Sequence, residues 1–108
     1  MRLGPIEFDE VIFVDFEFTA PPGERPTPIC CVAQELSSGR RHRLWHDDLV
    51  QLDRAPFPVD RRSLFVGYYA SAELSCFLQL GWALPECILD PFTAPGRTSG
   101  RTATVNCR

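Results

Sequence analysis

Two acidic residues, Asp15 and Glu17, interrupt the apolar run VIFVDFEF at residues 11–18. An unpaired buried carboxylate is costly. Either a strand ends at these residues, or the acids are there to hold something positive. Alternate side chains of a strand share a face, which sets the two acids about 7 Å apart on one side. At the end of a central strand such a pair can share a divalent cation, and hard oxygen ligands suit Mg²⁺ or Mn²⁺. Two such ions roughly 3.5–4 Å apart activate a water and steady the leaving oxygen of a phosphodiester. A solvated strand end explains the same two residues without any function.

Other chemistry-bearing residues are more easily placed. His42 and His46 lie in RRHRLWH, which reads as a strand. That reading holds them about 13 Å apart and excludes a shared metal. Arg40, Arg41 and Arg43 suit a nucleic-acid backbone or simply solvate a hairpin. Tyr68 and Tyr69 either stack on unpaired bases or close the core above a helix.

The elements that must position these residues follow from punctuation and periodicity. Residues 11–18 predict a central strand, apolar on both faces as far as Val14 and closed by Thr-Ala-Pro-Pro-Gly. Residues 29–36 and 41–46 predict a hairpin around Ser37-Ser38-Gly39. Asp47 or Asp48 is expected to cap a short helix ending near Arg54. A buried strand at 64–67, a helix from Ser71 to about Leu80 and a strand at 86–89 complete the order. Leu74, Phe77 and Leu78 are expected on the helix's buried face. Three strands, helix, strand, helix, strand imply an α/β fold with a mixed five-stranded sheet and helices on its faces. A ribonuclease H-like order, 3-2-1-4-5, fits with the first strand central.

The totals are compatible with that fold. The 108 residues, 44% of them hydrophobic and eight of them Phe, suffice for one small core. A net charge of −3 provides no global attraction to nucleic acid, and every one of the eleven basic residues is Arg. Five cysteines form no Cys-x-x-Cys pair, and Cys30, Cys31, Cys76 and Cys87 sit among apolar residues. They read as reduced core cysteines, which predicts a cytoplasmic setting. Glu7, Asp9 and Glu10 argue against a signal peptide, and no run is long enough to span a membrane.

The stretch FVDFEF resembles the first motif of the DEDD 3′–5′ exonucleases, proofreading enzymes with a ribonuclease H-like fold. The resemblance implies that Asp15 and Glu17 bind two metal ions. LFVGYYASAELSCF stands where the second motif falls, with Glu73 at the family's Asp position and Tyr69 where Asn is usual. It implies Glu73 as a third catalytic and metal-binding residue, with Mg²⁺ or Mn²⁺ as cofactor and a single-stranded DNA 3′ end as partner. Phe16, Phe18, Tyr68 and Tyr69 become the candidates for contact with that DNA. The helix dipole favours an acid at Glu73 in any case. With APPGERP, RLWHD, YYASAEL and LGW-x-LP in order, the likeness narrows to the N-terminal exonuclease region of phage- or plasmid-type family A DNA polymerases, over about residues 9–92.

Two parts of the family pattern lack a counterpart. After Glu73 the only Asp is Asp90, read as structural, and no Tyr follows Tyr69. The fourth ligand and the water-orienting residue are therefore expected to be missing, and with them activity of the chain alone. Residues 1–92 are expected to form a partial exonuclease domain. Residues 93–108, rich in Arg, Thr and Gly, are expected to be a disordered, frameshifted tail. A non-catalytic ribonuclease H-like module that binds nucleic acid or a protein is the alternative. A third reading is a chain that does not fold stably.

Overall fold

The computed structural model describes residues 1–91 and 105–108. The chain runs β1 (Arg2–Leu3), β2 (Ile6–Glu7), β3 (Glu10–Thr19), β4 (Thr27–Glu35), β5 (Arg41–Trp45) and α1 (His46–Leu49). It continues through β6 (Ser63–Val66), α2 (Ala70–Leu80), β7 (Cys87–Leu89) and β8 (Val105–Cys107). The fold is α/β, with a mixed six-stranded sheet ordered β5-β4-β3-β6-β7-β8 and a separate β1–β2 hairpin.

The sheet departs from the expected five-stranded order by a sixth strand. The segments expected as strands three, two, one, four and five are β5, β4, β3, β6 and β7, with β8 added at the edge. β3 pairs antiparallel with β4 and parallel with β6, which makes it internal. Val11 and Ile12 are buried on opposite faces; beyond them Val14 and Phe16 point in while Phe13, Asp15 and Glu17 point out. That change of pattern follows the covering layers. One face carries the main core, where Ile12, Val14, Phe16, Cys31 and Ala33 meet Leu49, Phe57, Phe77 and Trp82. Among the described residues, the other face is covered only over Val11, Leu64, Val66 and Cys87, which pack with Phe8 and with Leu3 and Ile6 of the hairpin.

Two helix expectations are corrected. Neither Asp47 nor Asp48 is the cap of α1: Trp45 is, and Asp48 reaches back to its N–H at 3.4 Å. On α2 the buried residues are Ala70, Glu73, Cys76 and Phe77, while Leu78 is 66% exposed. The helix is rotated from its apolar pattern because Glu73, an acid, is satisfied inside. It ends at Gly81, whose φ of 76° closes the last turn with Gly81 and Trp82 N–H groups on the Leu78 and Phe77 carbonyls.

The tail and the cysteines are corrected as well. Residues 105–107 form β8, paired antiparallel with β7, and Cys107 is disulfide-bonded to Cys87. Cys87 is therefore not a reduced core cysteine, whereas Cys30, Cys31 and Cys76 are free. Residues 93–104, the rest of the stretch expected to be disordered, lie outside the described residues, as does residue 92.

Glu35 stabilises the β3–β4 junction. It is buried and accepts N–H bonds from Val11 at 3.1 Å and Ser38 at 2.7 Å. Those donors, Ser38 foremost, pull its pKa down to about 2. A depressed carboxylate stabilises the fold above its unfolded pKa near 4.5 and loses that contribution as pH falls through 2. Urea midpoints of the wild type are thus expected to fall over that window. Glu35→Gln should lose less, by roughly 1 kcal/mol once solvent screening is allowed for.

Candidate carboxylate site

β6 ends at Val66, opposite Phe13, whereas β3 runs on to Thr19. Among the described residues no strand lies beside β3 beyond Phe13 on that side, so a backbone N–H there needs another acceptor. Glu73 supplies one: the Phe16 N–H donates to its Oε2 at 2.8 Å. α2 can deliver this carboxylate because Phe77, one turn later, is locked among Phe16, Phe57, Phe65 and Trp82 at ring-centroid distances of 5.2–6.0 Å. Gly67 leaves the passage open. A Cβ there would stand 2.7 Å from the Phe65 ring and 3.4 Å from Glu73 Cγ.

Glu73 therefore rests on the peptide between Asp15 and Glu17. Burial pushes its pKa up to about 7, against the Phe16 N–H bond, and the charges of Asp15 and Glu17 push the same way. The three acids predicted as one site are electrostatic neighbours. They are not equivalent: Glu73 is buried at the strand edge, while Asp15 and Glu17 are exposed on the face away from the main core. Among the described residues, no three His, Cys, Asp or Glu side chains meet as metal ligands would. As arranged, the three carboxylates do not fit a ready-made two-metal centre.

No family model, curated protein or solved structure matches this chain. The site has to be read from its own geometry.

The aromatic candidates divide. Phe16 is 2% exposed in the main core and cannot reach a base, and Phe18 is half-buried against the same core. The parity that sends Asp15 and Glu17 outward sends Phe16 inward. Tyr68 and Tyr69 are exposed. Tyr68 borders a shallow cavity of about 380 Å³ with Phe13, Val32, Val66 and Asp15. Sequence reasoning missed this apolar shelf beside Asp15; its signal was the outward parity of Phe13 and Val32. The remaining candidates have local roles. The Arg40 guanidinium pairs with Glu10, Arg41 holds the Gln34 side-chain oxygen, and His46 Nδ1 bonds the Pro28 carbonyl at 2.9 Å.

Asp90 holds the start of α2. Its Oδ1 accepts the Tyr69 N–H at 3.0 Å and its Oδ2 the Ala70 N–H at 2.6 Å. Tyr69 itself sits at φ 64°, a left-handed conformation that costs a non-glycine residue about 1–2 kcal/mol. Asp90 supplies the cap that no side chain at Tyr69 provides. Asp90→Ala is expected to lower stability by about 1 kcal/mol, read as a fall of several degrees in melting temperature.

Proposed function

We propose that residues 1–92 are a partial 3′–5′ exonuclease domain of the DEDD type, built on a ribonuclease H-like sheet and related to a DNA polymerase's proofreading region. The observation that carries this reading is the Glu73 carboxylate bound to the Phe16 N–H, between Asp15 and Glu17. The backbone of the first motif and the Glu73 side chain of the second, 57 positions apart in the chain, meet at one strand edge. Mg²⁺ or Mn²⁺ is the cation that such oxygen donors select. The DNA 3′ end is the substrate, and Tyr68 and Tyr69 are the exposed aromatic candidates to contact it. The chain alone is not competent for hydrolysis, because its carboxylates stand apart and the fourth ligand has no counterpart. A cytoplasmic setting belongs to the same reading; the Cys87–Cys107 bond is the observation against it. No described helix is long and apolar enough to cross a membrane.

A second reading, a non-catalytic module binding nucleic acid or protein, is favoured by the exposed Phe13, Val32 and Tyr68 around Asp15. The two separate by cation dependence. Purified chain is incubated with Mn²⁺ and a 3′-labelled single-stranded DNA, and binding and shortening are followed together. The first reading expects binding that Mn²⁺ strengthens and Asp15→Asn abolishes, with no shortening. Shortening lost in Asp15→Asn would keep the nuclease and overturn its incompetence. Binding indifferent to both Mn²⁺ and Asp15→Asn would favour the second reading.

A further inference from the structure

Among the described residues, one face of the sheet is left uncovered over β3, β4 and β5, and it has an ordered charge pattern. Register places Asp15, Val32 and Arg43 in one row across the strands. The neighbouring rows are Glu17, Cys30, Trp45 and Phe13, Gln34, Arg41. The face thus has an acidic margin on β3 and a basic margin on β5. Between them runs a column of small or uncharged residues on β4. Phe13 is 45% and Trp45 66% exposed on this face, and Val32 is exposed beside them. The margins are two strand spacings apart, about 10 Å. Among the described residues Asp15, Glu17 and Arg43 make no ion pair.

We propose that this face docks a second copy of the chain. A two-fold axis lying along β4 brings two such sheets face to face. It sets β3 of each copy over β5 of the other, as in aligned sheet packing. Asp15 then meets Arg43 of the second copy, and Arg43 meets its Asp15. Phe13 lies under Arg41, a cation–aromatic contact, and Glu17 faces the Trp45 indole N–H. Val32 and Cys30, on the axis, face themselves. The contact is small for a stable dimer, so it falls in the weak class, with a dissociation constant on the order of tens of micromolar. The inference does not rest on the nuclease reading. It competes with it, because a docked copy covers Asp15 and Glu17.

Sedimentation equilibrium of the full chain from low to several hundred micromolar tests it, at low and at about 0.5 M salt. The expected result is a monomer–dimer equilibrium that salt weakens severalfold. Arg43→Glu should weaken it about tenfold or more, since both symmetry-related pairs become repulsive. Arg43→Glu combined with Asp15→Arg should regain most of the affinity. A short bismaleimide should join two copies, each Cys30 thiol adding across one maleimide double bond with its proton passing to the adjacent carbon. Cys30→Ser should abolish that product. Circular dichroism melts confirm that the variants fold, and Arg43→Gln replaces Arg43→Glu if it does not. A chain that stays monomeric throughout, or a dimer indifferent to Arg43 substitution, would overturn the proposal.

Discussion

Truncating Phe77 to alanine is expected to lower stability by about 3–5 kcal/mol. Phe77 is fully buried and is edge-on or tilted against Phe16, Phe57, Phe65 and Trp82. It touches the sheet through Phe16 and Phe65 and the segment between α1 and β6 through Phe57. Its removal leaves a cavity whose walls are strands and a helix that cannot collapse freely, on top of the lost transfer energy. For a domain of this size the melting temperature should fall by about 15–25 °C. Leu78→Ala, one residue along, should cost under about 0.5 kcal/mol, because Leu78 is exposed. Urea melts of the two variants check the rotation of α2 directly. Similar losses from both would mean that the helix presents its apolar pattern, not Glu73, to the core.

The second large effect is a pH dependence. Glu73 is an acid whose folded pKa is raised to about 7 from 4.5. Between those values the native state holds a proton that the unfolded chain has released, so stability falls as pH rises through the window. Below 4.5 both states are protonated and the group contributes nothing; above 7 the penalty is complete. The size is about 2 kcal/mol after discounting for residual solvent contact. Glu73→Gln keeps an oxygen for the Phe16 N–H and removes the charge. Its urea midpoint should therefore exceed the wild type's at pH 8, match it near pH 4.5, and stay flat between. A wild-type profile that is already flat from pH 4.5 to 8 would mean that Glu73 ionises freely and is not held beside the other two acids.

Both effects start from features that the sequence showed only in part. The central strand was legible because β-branched and aromatic residues run through it and a proline-rich loop ends it. The hairpin was legible from Ser-Ser-Gly between two strand-like runs. The outward parity of Asp15 and Glu17 was legible too, and it already contained the burial of Phe16. The rotation of α2 was not, because Leu74, Phe77 and Leu78 form an acceptable helical stripe. A long-range bond, Phe16 N–H to Glu73, holds an acid on the inward face instead. The β1–β2 hairpin and β8 were missed for a related reason. Strands of two or three residues have no periodicity to read, and pairing partners elsewhere in the chain define them. The Cys87–Cys107 bond was equally hidden, since an apolar neighbourhood suits a free thiol and a bridged one alike.

The proposals share one face of the sheet, which is uncovered among the described residues. Asp15 and Glu17 project from it, Glu73 reaches the adjoining edge, and an apolar shelf lies alongside. A nucleic-acid end, a cation and a second copy of the chain would all compete for this one surface.

The carboxylate site is tested most directly by titrating substoichiometric Mn²⁺ into isotopically labelled chain and following backbone amide signals by NMR. Paramagnetic broadening should appear first at residues 15–17 and 73, and Asp15→Asn should remove it. Broadening that begins elsewhere, for instance at the adjacent Asp47 and Asp48, or that spreads evenly over the acidic surface, would contradict a shared cation site at Asp15, Glu17 and Glu73.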